Sequence, residues 1–472
     1  MSSPTIFWFR RDLRLQDSPA LVAASTKAGG QVLGTWIVDE TFIAPAGPTR
    51  VAFLAETLKS LDASMGAKLV LRSGEPAAAL RALATEIGAK EVFATGDYGP
   101  QGRLRDERVR SALERDGITL HLIDSPYVVK PGTVMTKTGT PCRVFGAFRR
   151  GWEEEPLLAP VSAPDVQWLS AAGLSIEVLQ ESCGKFRPSY FPILDDVIAP
   201  KILPAGEAQA QAQVESFLRF VDNYDDDRNI PGIEGTSRLS PHLRFGAIHP
   251  RQILAQTNGL TKGRDVFRSE IAWREFYADV LFHHPDSTWN ILQPGLRHLR
   301  VDRDGDAVER FRTWAVGETG YPMVDAGMRQ LLEEGWMHNR VRMICASFLV
   351  KHLHLDWRWG AKWFMWHLID GDIASNQHGW QWTAGTGTDA APFHRVFNPT
   401  LQGERFDPEG TYVQKFIPAL RGVSAPDCLQ PGGGTGLLAP AGYFTPMLDA
   451  NTERNEALAR FAEARELAQN AK

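Results

Sequence analysis

Between residues 5 and 125, short and almost unbroken apolar runs alternate with longer stretches in which apolar residues return every three or four positions. The runs are TIFWF at 5–9, VLGTWIV at 32–38, KLVLR at 68–72, EVFAT at 91–95 and ITLHLI at 118–123, separated by segments such as PTRVAFLAETLKSLDASMG at 48–66. A run apolar on both faces suits a strand covered on both sides. Strand and helix alternating at this spacing build a parallel sheet with right-handed crossovers. Residues 1–130 are therefore predicted to form a doubly wound α/β domain. In LQDSPALVAAS at 15–25, Asp17 or Ser18 stands where it can cap a helix that accepts Pro19 in its first turn.

Residues 131–205 break this rhythm with prolines at 131, 141, 156, 160, 164, 188, 192, 200 and 204, and read as an ordered connector. From 206 to 472 only helical spacing remains, as in AQAQAQVESFLRFV, GRDVFRSEIAWREFYADVLF, DAGMRQLLEEGWMHNRVRMICASFLVKHL and AKWFMWHLI. The second domain should be nearly all α, closing on the helix TERNEALARFAEARELAQ, with PGGGTG at 431–436 read as a turn.

With 472 residues, 43% hydrophobic and 23% charged, the chain has material for two cores. Its formal charge of −5 excludes a uniformly basic nucleic-acid coat, so a polyanion would have to meet a local patch. Cys142, Cys183, Cys345 and Cys428 form no C-x-x-C pair, which argues against both a zinc site and a disulfide framework and fits a reducing cytoplasm. MSSPTIFWFRRDLR holds no long apolar segment, and no apolar run reaches membrane-spanning length, so a soluble protein is expected.

The α/β pattern invites a nucleotide, yet neither G-x-G-x-x-G after a strand nor G-x-x-x-x-G-K-[ST] is present. Tryptophan is more telling, since ten of the 14 fall after residue 270. Any single one can be core. DGDIASNQHGWQWTAGTGTD at 370–389, however, crowds carboxylates, amides and two tryptophans together, and Trp273 stands between Glu270 and Arg274.

WFRRDLRLQD at 8–17, EGTSRLSPHLRFG at 234–246, WREFY at 273–277, TGYPMVDAGMRQL at 319–331, WMHNRVRMICASFLVK at 336–351, and DGD with WQW at 370–382 occur in this order. Together they resemble the signatures of the photolyase and cryptochrome family, most like its class I cyclobutane pyrimidine dimer photolyases. The resemblance implies a blue-light, FAD-dependent DNA repair enzyme with FAD folded inside the helical domain, which agrees with the missing dinucleotide glycines. Tyr224 and the run Thr236, Ser237, Arg238, Leu239 and Ser240 match the segment that holds the FAD phosphates, and neutral donors at a helix start suit an anion. Phe267, Asn339, Arg342, Asp370, Gly371, Asp372 and Asn376 match flavin-side positions. Arg342 is expected to pair with Asp370, because a buried arginine without a carboxylate is costly. Asn376 matches the residue facing flavin N5, where its amide can accept a proton's hydrogen bond without carrying charge.

Dimer splitting is redox-neutral and needs neither a hydrolytic nucleophile nor a metal, so the absence of a triad or ligand cluster in the sequence is no obstacle. The resemblance further assigns Glu270, Trp273, Met343 and Trp382 to a pocket for the flipped dimer, with the tryptophans stacking and Glu270 bonding the base edge. Arg228, Arg244, Arg274, Arg340 and Arg395, together with Asn339 and Gln402, are candidate contacts to DNA.

Trp380 and Trp357 match the inner two members of the family's electron relay to flavin. The outer position falls near Asp304, which leaves Trp314, Trp359 or Trp363 as the outer donor. The antenna is also open: Gln101 and Gly102 stand where folate-binding relatives place an amide and a glutamate, so methenyltetrahydrofolate, a deazaflavin, a flavin or no antenna all remain. Arg50 is either a chromophore contact or a surface cation. A cryptochrome is the nearest rival, but the dimer-facing tryptophan pair and short C-terminal helix disfavour the plant type, and His338 alone does not recreate the histidine pair of (6-4) photolyases. A flavin electron-transfer protein would leave the stacking pair and arginines unexplained. A monomer is expected.

Overall fold

The computed structural model describes residues 3–194, 198–389, 395–434, 440 and 442–470. They fall into two compact units, one of Met1–Arg187, Leu203–Asp222 and Ser237–Pro285, the other of Pro188–Ile202, Asn223–Thr236 and Asp286–Lys472.

In the first unit the five apolar runs become strands β1 (Thr5–Phe9), β2 (Gln31–Val38), β3 (Val70–Ser73), β4 (Glu91–Ala94) and β5 (Thr119–Leu122), joined by a short β6 (Gln167–Trp168). Their order is β3-β2-β1-β4-β5, with β6 beside β2 and every pairing parallel. Every residue of β1 is buried, as expected of a central strand with helices on both faces. Helix Pro19–Ala28 starts where Pro19 was expected, but neither candidate caps it as foreseen. Ser18 holds the N-cap position without a side-chain bond. Asp17 is fully buried and receives Arg251 Nη2 at 2.9 Å, so it has become a structural ion-pair partner.

The connector is more than a linker. Its helix Phe145–Glu154 buries Phe148 and Trp152, and β6 extends the sheet. Trp152 Nε1 donates to Glu275 (2.7 Å), which also accepts from the amides of Val128 (2.6 Å) and Val129 (2.9 Å). A buried carboxylate at 275 thus takes its donors from residues 126–152, and this is one reason why helical residues 237–285 group with the α/β core rather than with the later helices.

His242 is buried, and burial pushes its pKa down from 6.5 to about 4. The unfolded chain takes up this proton below about 6.5 while the folded chain refuses it until about 4, so stability is whole above that window and falls as pH drops through it. The loss is roughly 3 kcal/mol for this group. Urea titrations at pH 7 and pH 4.5 should show it, and His242→Phe should flatten the slope between them.

The second unit is helical, and no strand follows Trp168 among the described residues. Helices Ala307–Val316, Pro322–Glu334, Asn339–Lys351 and Trp357–His367 surround a core that contains Trp314, Phe311, Phe348 and Trp363. The last helix, Ala450–Asn470, is tied down by Arg460 to Asp302 (2.6 Å) and Glu453 to His354 (2.7 Å). The turn read at 431–436 is seen at Gly432 and Gly433, both at positive φ, while residues 435 and 436 lie outside the described residues.

Candidate functional site

In the second unit, the crowded stretch at 370–389 resolves into a cap and a helix. The Asp372 carboxylate accepts from the amides of Ala374 (3.0 Å) and Ser375 (3.2 Å) and so starts helix Ile373–Ala384, which Gly385 ends at φ +76. Asn376 and Trp380, four residues apart, share a face, whereas Trp382, two residues on, is turned by about 200° from Trp380. The other amides are structural. Gln377 donates to the Thr288 carbonyl (2.6 Å), Gln381 donates to those of Ser287 (2.8 Å) and Asn290 (3.1 Å), and the His378 ring meets the Ser287 hydroxyl (3.0 Å). They fasten the 287–290 segment to the helix, a long-range role with no local sequence signal.

Helix Asn339–Lys351 carries Asn339, Arg342 and Met343 on one face, with His338 accepting from the Arg340 amide at its start (3.2 Å). The expected ion pair is present and bidentate: Arg342 Nη1 and Nη2 reach Asp370 Oδ1 and Oδ2 at 3.2 and 2.8 Å, while Nε donates to the Met337 carbonyl (2.8 Å). Gly371 lies between Asp370 and the capping Asp372. Asn376 Nδ2 donates to the Ala361 carbonyl (3.1 Å) and to Gln377 Oε1 (2.8 Å), which leaves its carbonyl oxygen without a partner among the described residues. An oriented neutral acceptor beside a satisfied arginine–carboxylate pair fits the edge of a flavin. Tyr224 is buried, with the Arg228 guanidinium 5.6 Å from its ring, and Thr236 is half-buried.

Trp380 packs edge-on against Phe364 (5.0 Å) and Trp314 (6.2 Å). Sequence reasoning missed Gly360, in helix Trp357–His367: a Cβ there would lie 2.1 Å from Trp380 Cη2, so the indole rests directly on the backbone. Gly360→Ala should gain about 1 kcal/mol in helix propensity but lose roughly 1–3 kcal/mol by displacing the ring. The net outcome expected is a lower melting temperature together with slowed flavin photoreduction, read by calorimetry and by absorbance under blue light. Trp357 is buried, and its indole N–H has no hydrogen-bond partner among the described residues.

Several cations of this unit are arranged over aromatic rings. Arg340 lies 4.4 Å from the centre of Phe406, donates to Asn229 (2.6 Å) and approaches Met343 Sδ (3.9 Å). Exposed Arg395 lies 5.3 Å from Phe397, and its carbonyl is held by Lys351 Nζ (2.9 Å). Arg405, also exposed, shares Phe406 at 5.0 Å and was overlooked, although it sits three residues from half-buried Gln402 on helix Pro399–Phe406.

In the first unit, helix Lys262–His283 is capped by Thr261 and places Phe267, Glu270 and Arg274 along one face, with Trp273 one turn beyond Glu270. Phe267 packs on Phe217 (4.5 Å). One face of Trp273 is covered by Phe145, stacked at 3.8 Å and 11°, so the connector supports this indole. Arg274, a candidate phosphate contact, donates from its guanidinium to the carbonyls of Pro126 (3.1 Å) and Leu243 (3.2 Å), bonds that no sequence motif announces. Arg244 lies 5.5 Å from Phe245. In the run Ser237–Ser240, Arg238 adopts φ +48, Gln213 donates to the Ser237 carbonyl (3.0 Å), and Leu239 stands at the start of helix Ser240–Phe245 without capping it.

The switch point of the sheet, where β1 and β4 diverge, is where open α/β sheets usually bind ligands. It is lined by Arg10, Arg105, Asp97 and Asp106, with Arg10 bonded to Asp106 and Arg105 Nη2 3.1 Å from Asp97. Burial pushes the Asp97 carboxyl up, but Arg105, Arg11 and Arg10 outweigh it and hold the pKa below its usual value. A Cβ at Gly102 would lie 2.2 Å from Asp97 Cγ. A side chain at position 102 would have to displace the Asp97 carboxylate. Arg50 is half-buried in the first turn of helix Pro48–Ser64.

Residues 5–165 match the family described as DNA photolyase, and residues 267–463 match the FAD binding domain of DNA photolyase. A deoxyribodipyrimidine photo-lyase of Agrobacterium fabrum is 38% identical over 488 residues, covering 98% of both chains. Among solved structures, a bacterial class III photolyase from Agrobacterium tumefaciens aligns with a TM-score of 0.88 at 35% identity, over 99% of this chain and 98% of that one. The archaeal photolyase from Sulfolobus tokodaii, described with two FAD molecules, aligns with a TM-score of 0.83 at 26% identity, over 98% of this chain and 100% of that one. The likeness to class I read from the motifs thus stands beside a structural relative described as class III.

Proposed function

This chain belongs to the DNA photolyase family, and from that premise we propose a division of labour among its residues in light-dependent repair of cyclobutane pyrimidine dimers. The enzyme is an FAD-dependent carbon–carbon lyase acting on UV-damaged DNA. Bound FAD supplies the light-driven electron donor that opens the cyclobutane ring and takes the electron back.

The protein's own task is holding, orienting and keeping dry. Tyr224, Thr236, Ser237, Arg238, Leu239 and Ser240 would hold the phosphates, and Phe267 and Asn339 would line the cofactor. Arg342, locked by Asp370, offers a fixed cation that cannot swing away, with Gly371 and Asp372 shaping the backbone beside it. Asn376 presents its carbonyl to the flavin edge.

Photolyases are a standing example of enzymes that turn the damaged bases out of the stack. Trp273 and Trp382 would stack on the extruded dimer, Met343 would fill the gap beside it, and Glu270 would bond the base edge. Arg228, Arg340, Arg395 and Gln402 would take the flanking phosphates, with Arg405 added to them. Arg274 is assigned to bracing the helix that carries Trp273, on the two carbonyl bonds it makes.

One observation carries this assignment: helix Ile373–Ala384 sends Asn376 and Trp380 one way and Trp382 the other, so flavin-side and substrate-side work are separated on one rigid element. Trp382→Ala should keep its FAD yet lose about 1–3 kcal/mol of affinity, roughly 5- to 150-fold, for a dimer-containing oligonucleotide. Fluorescence anisotropy would measure it, and unchanged affinity would remove Trp382 from the pocket.

A flavin or deazaflavin second chromophore is favoured over folate, on the Asp97 side chain at Gly102 and on the archaeal relative described with two FAD molecules. No helix among the described residues is long and apolar enough to cross a membrane; a cytoplasmic monomer is proposed.

A further inference from the structure

Lys351, the last residue of helix Asn339–Lys351, is only 1% exposed. Its ammonium pairs with no carboxylate among the described residues: Nζ donates to the Arg395 carbonyl (2.9 Å) and lies 6.0 Å from the centre of the Phe461 ring on the C-terminal helix. Burial, with the Arg395 guanidinium repelling it, pushes its pKa down to about 8, so the group is still mostly protonated at neutral pH. A buried charge without a counter-ion costs stability. The helix C-terminus on which Lys351 sits offsets part of that cost, yet an apolar side chain would fill the same space without any.

What the charge grips is the backbone of a residue whose own side chain is exposed. Two residues on, Phe397 is buried with the Arg395 guanidinium 5.3 Å from its ring. Asn398 then accepts from the amides of Thr400 (3.0 Å) and Leu401 (3.2 Å) and starts helix Pro399–Phe406, which carries Gln402 and Arg405. Three candidate phosphate contacts thus follow one anchored carbonyl.

We propose that Lys351 is a positioning residue for DNA binding, its buried ammonium fixing the backbone at Arg395 so that this guanidinium meets a phosphate beside the lesion. The inference rests on the reading of Arg395 as a phosphate contact.

Binding through an arginine on a loose segment has to freeze that segment, whereas a carbonyl already tied to a buried group has lost its freedom on folding. An ammonium makes the tie stronger, since a charge-assisted bond is roughly twice as strong as a neutral one. Lys351 is itself out of reach of solvent, so its effect on a phosphate travels only through the segment it holds. It also lies about 14 Å along the helix axis from Arg342, which leaves the flavin end of the same helix undisturbed.

The rival reading makes Lys351 a packing residue for the C-terminal helix, through the Phe461 ring. The two readings part on stability. A packing role predicts that removing the ammonium lowers the melting temperature, while a positioning role held against a desolvation cost predicts an equal or higher melting temperature with weaker DNA binding.

The experiment is fluorescence anisotropy of a dimer-containing duplex against the FAD-loaded protein at several salt concentrations, beside FAD content, melting temperature and repair yield at saturating DNA. Lys351→Met should bind about three- to tenfold more weakly, with a salt slope shallower by about 0.9, the share of one phosphate. Its FAD content and its repair yield once bound should be parental. Lys351→Gln keeps a neutral donor with a shorter reach, so it should fall between the two, and it carries the comparison if Lys351→Met loses its FAD. Lys351→Met combined with Arg395→Ala should bind within about twofold of Arg395→Ala alone, because both changes act on one contact. Parental affinity in the Lys351 variants beside a weakened Arg395→Ala, or losses that add in the double variant, would overturn the proposal and leave Arg395 in place. Parental affinity in Arg395→Ala would overturn the reading of Arg395, and the proposal with it.

Discussion

Purified Asp370→Ala is expected to come off the column colourless and about 3–5 kcal/mol less stable than the parent. Asp370 is buried and receives both terminal nitrogens of Arg342, whose side chain is itself only 24% exposed. Removing the carboxylate leaves a largely desolvated cation facing the position assigned to the flavin. Two costs therefore coincide, an unpaired charge in the apoprotein and a guanidinium free to leave its orientation in the holoprotein. The flavin-to-protein absorbance ratio and the urea midpoint measure them separately. Asp370→Asn keeps the shape but not the charge, and should retain part of the stability while binding FAD weakly. Full FAD occupancy in Asp370→Ala would show that the pair has no part in holding the cofactor.

Trp380→Phe should slow photoreduction by about a hundredfold or more while leaving repair by chemically reduced enzyme largely intact. Phenylalanine fills most of the space against Phe364 and Trp314, but its ring is far harder to oxidise, so the first step of the relay fails without a cavity being made. Gly360→Ala disturbs the same ring by displacement instead of replacement, so its smaller effect on photoreduction should come with a loss of stability. Steady illumination with thiol follows the first process, and repair in the dark-reduced, then illuminated, sample follows the second. Parental photoreduction in Trp380→Phe would remove this residue from the relay.

What the chain reveals in advance follows from whether a residue's partners are local. The five strands were legible because each is a short apolar run, fully buried in the central β1 and partly exposed in β3 and β5, and the helices after 206 because their periodicity persists for many turns. The Arg342–Asp370 pair and the Asn376–Trp380 face could be anticipated from helical spacing together with the family motifs. Ser18 and Asp17 were placed correctly along the chain but not in role, since Arg251, more than two hundred residues away, decides what Asp17 does. Distance in sequence also hid the bracing of Arg274 by Pro126 and Leu243, the Phe145 stack under Trp273, and the fastening of residues 287–290 by Gln377 and Gln381. Gly360 was hidden for another reason: its function is the absence of a side chain, and only the position of Trp380 shows that absence to matter. The connector was underestimated because prolines mark turns, and turns do not say that Phe148 and Trp152 between them are core residues.

The decisive measurement is illumination of the FAD-loaded, chemically reduced protein with a thymine-dimer oligonucleotide, following the return of thymine absorbance. Light-dependent recovery, absent in the dark and strongly reduced for Trp382→Ala at limiting DNA, is the result expected of the site described. No recovery from a protein shown to hold fully reduced FAD would contradict it, and would make the chain a light-responsive flavoprotein that shares the fold without the repair.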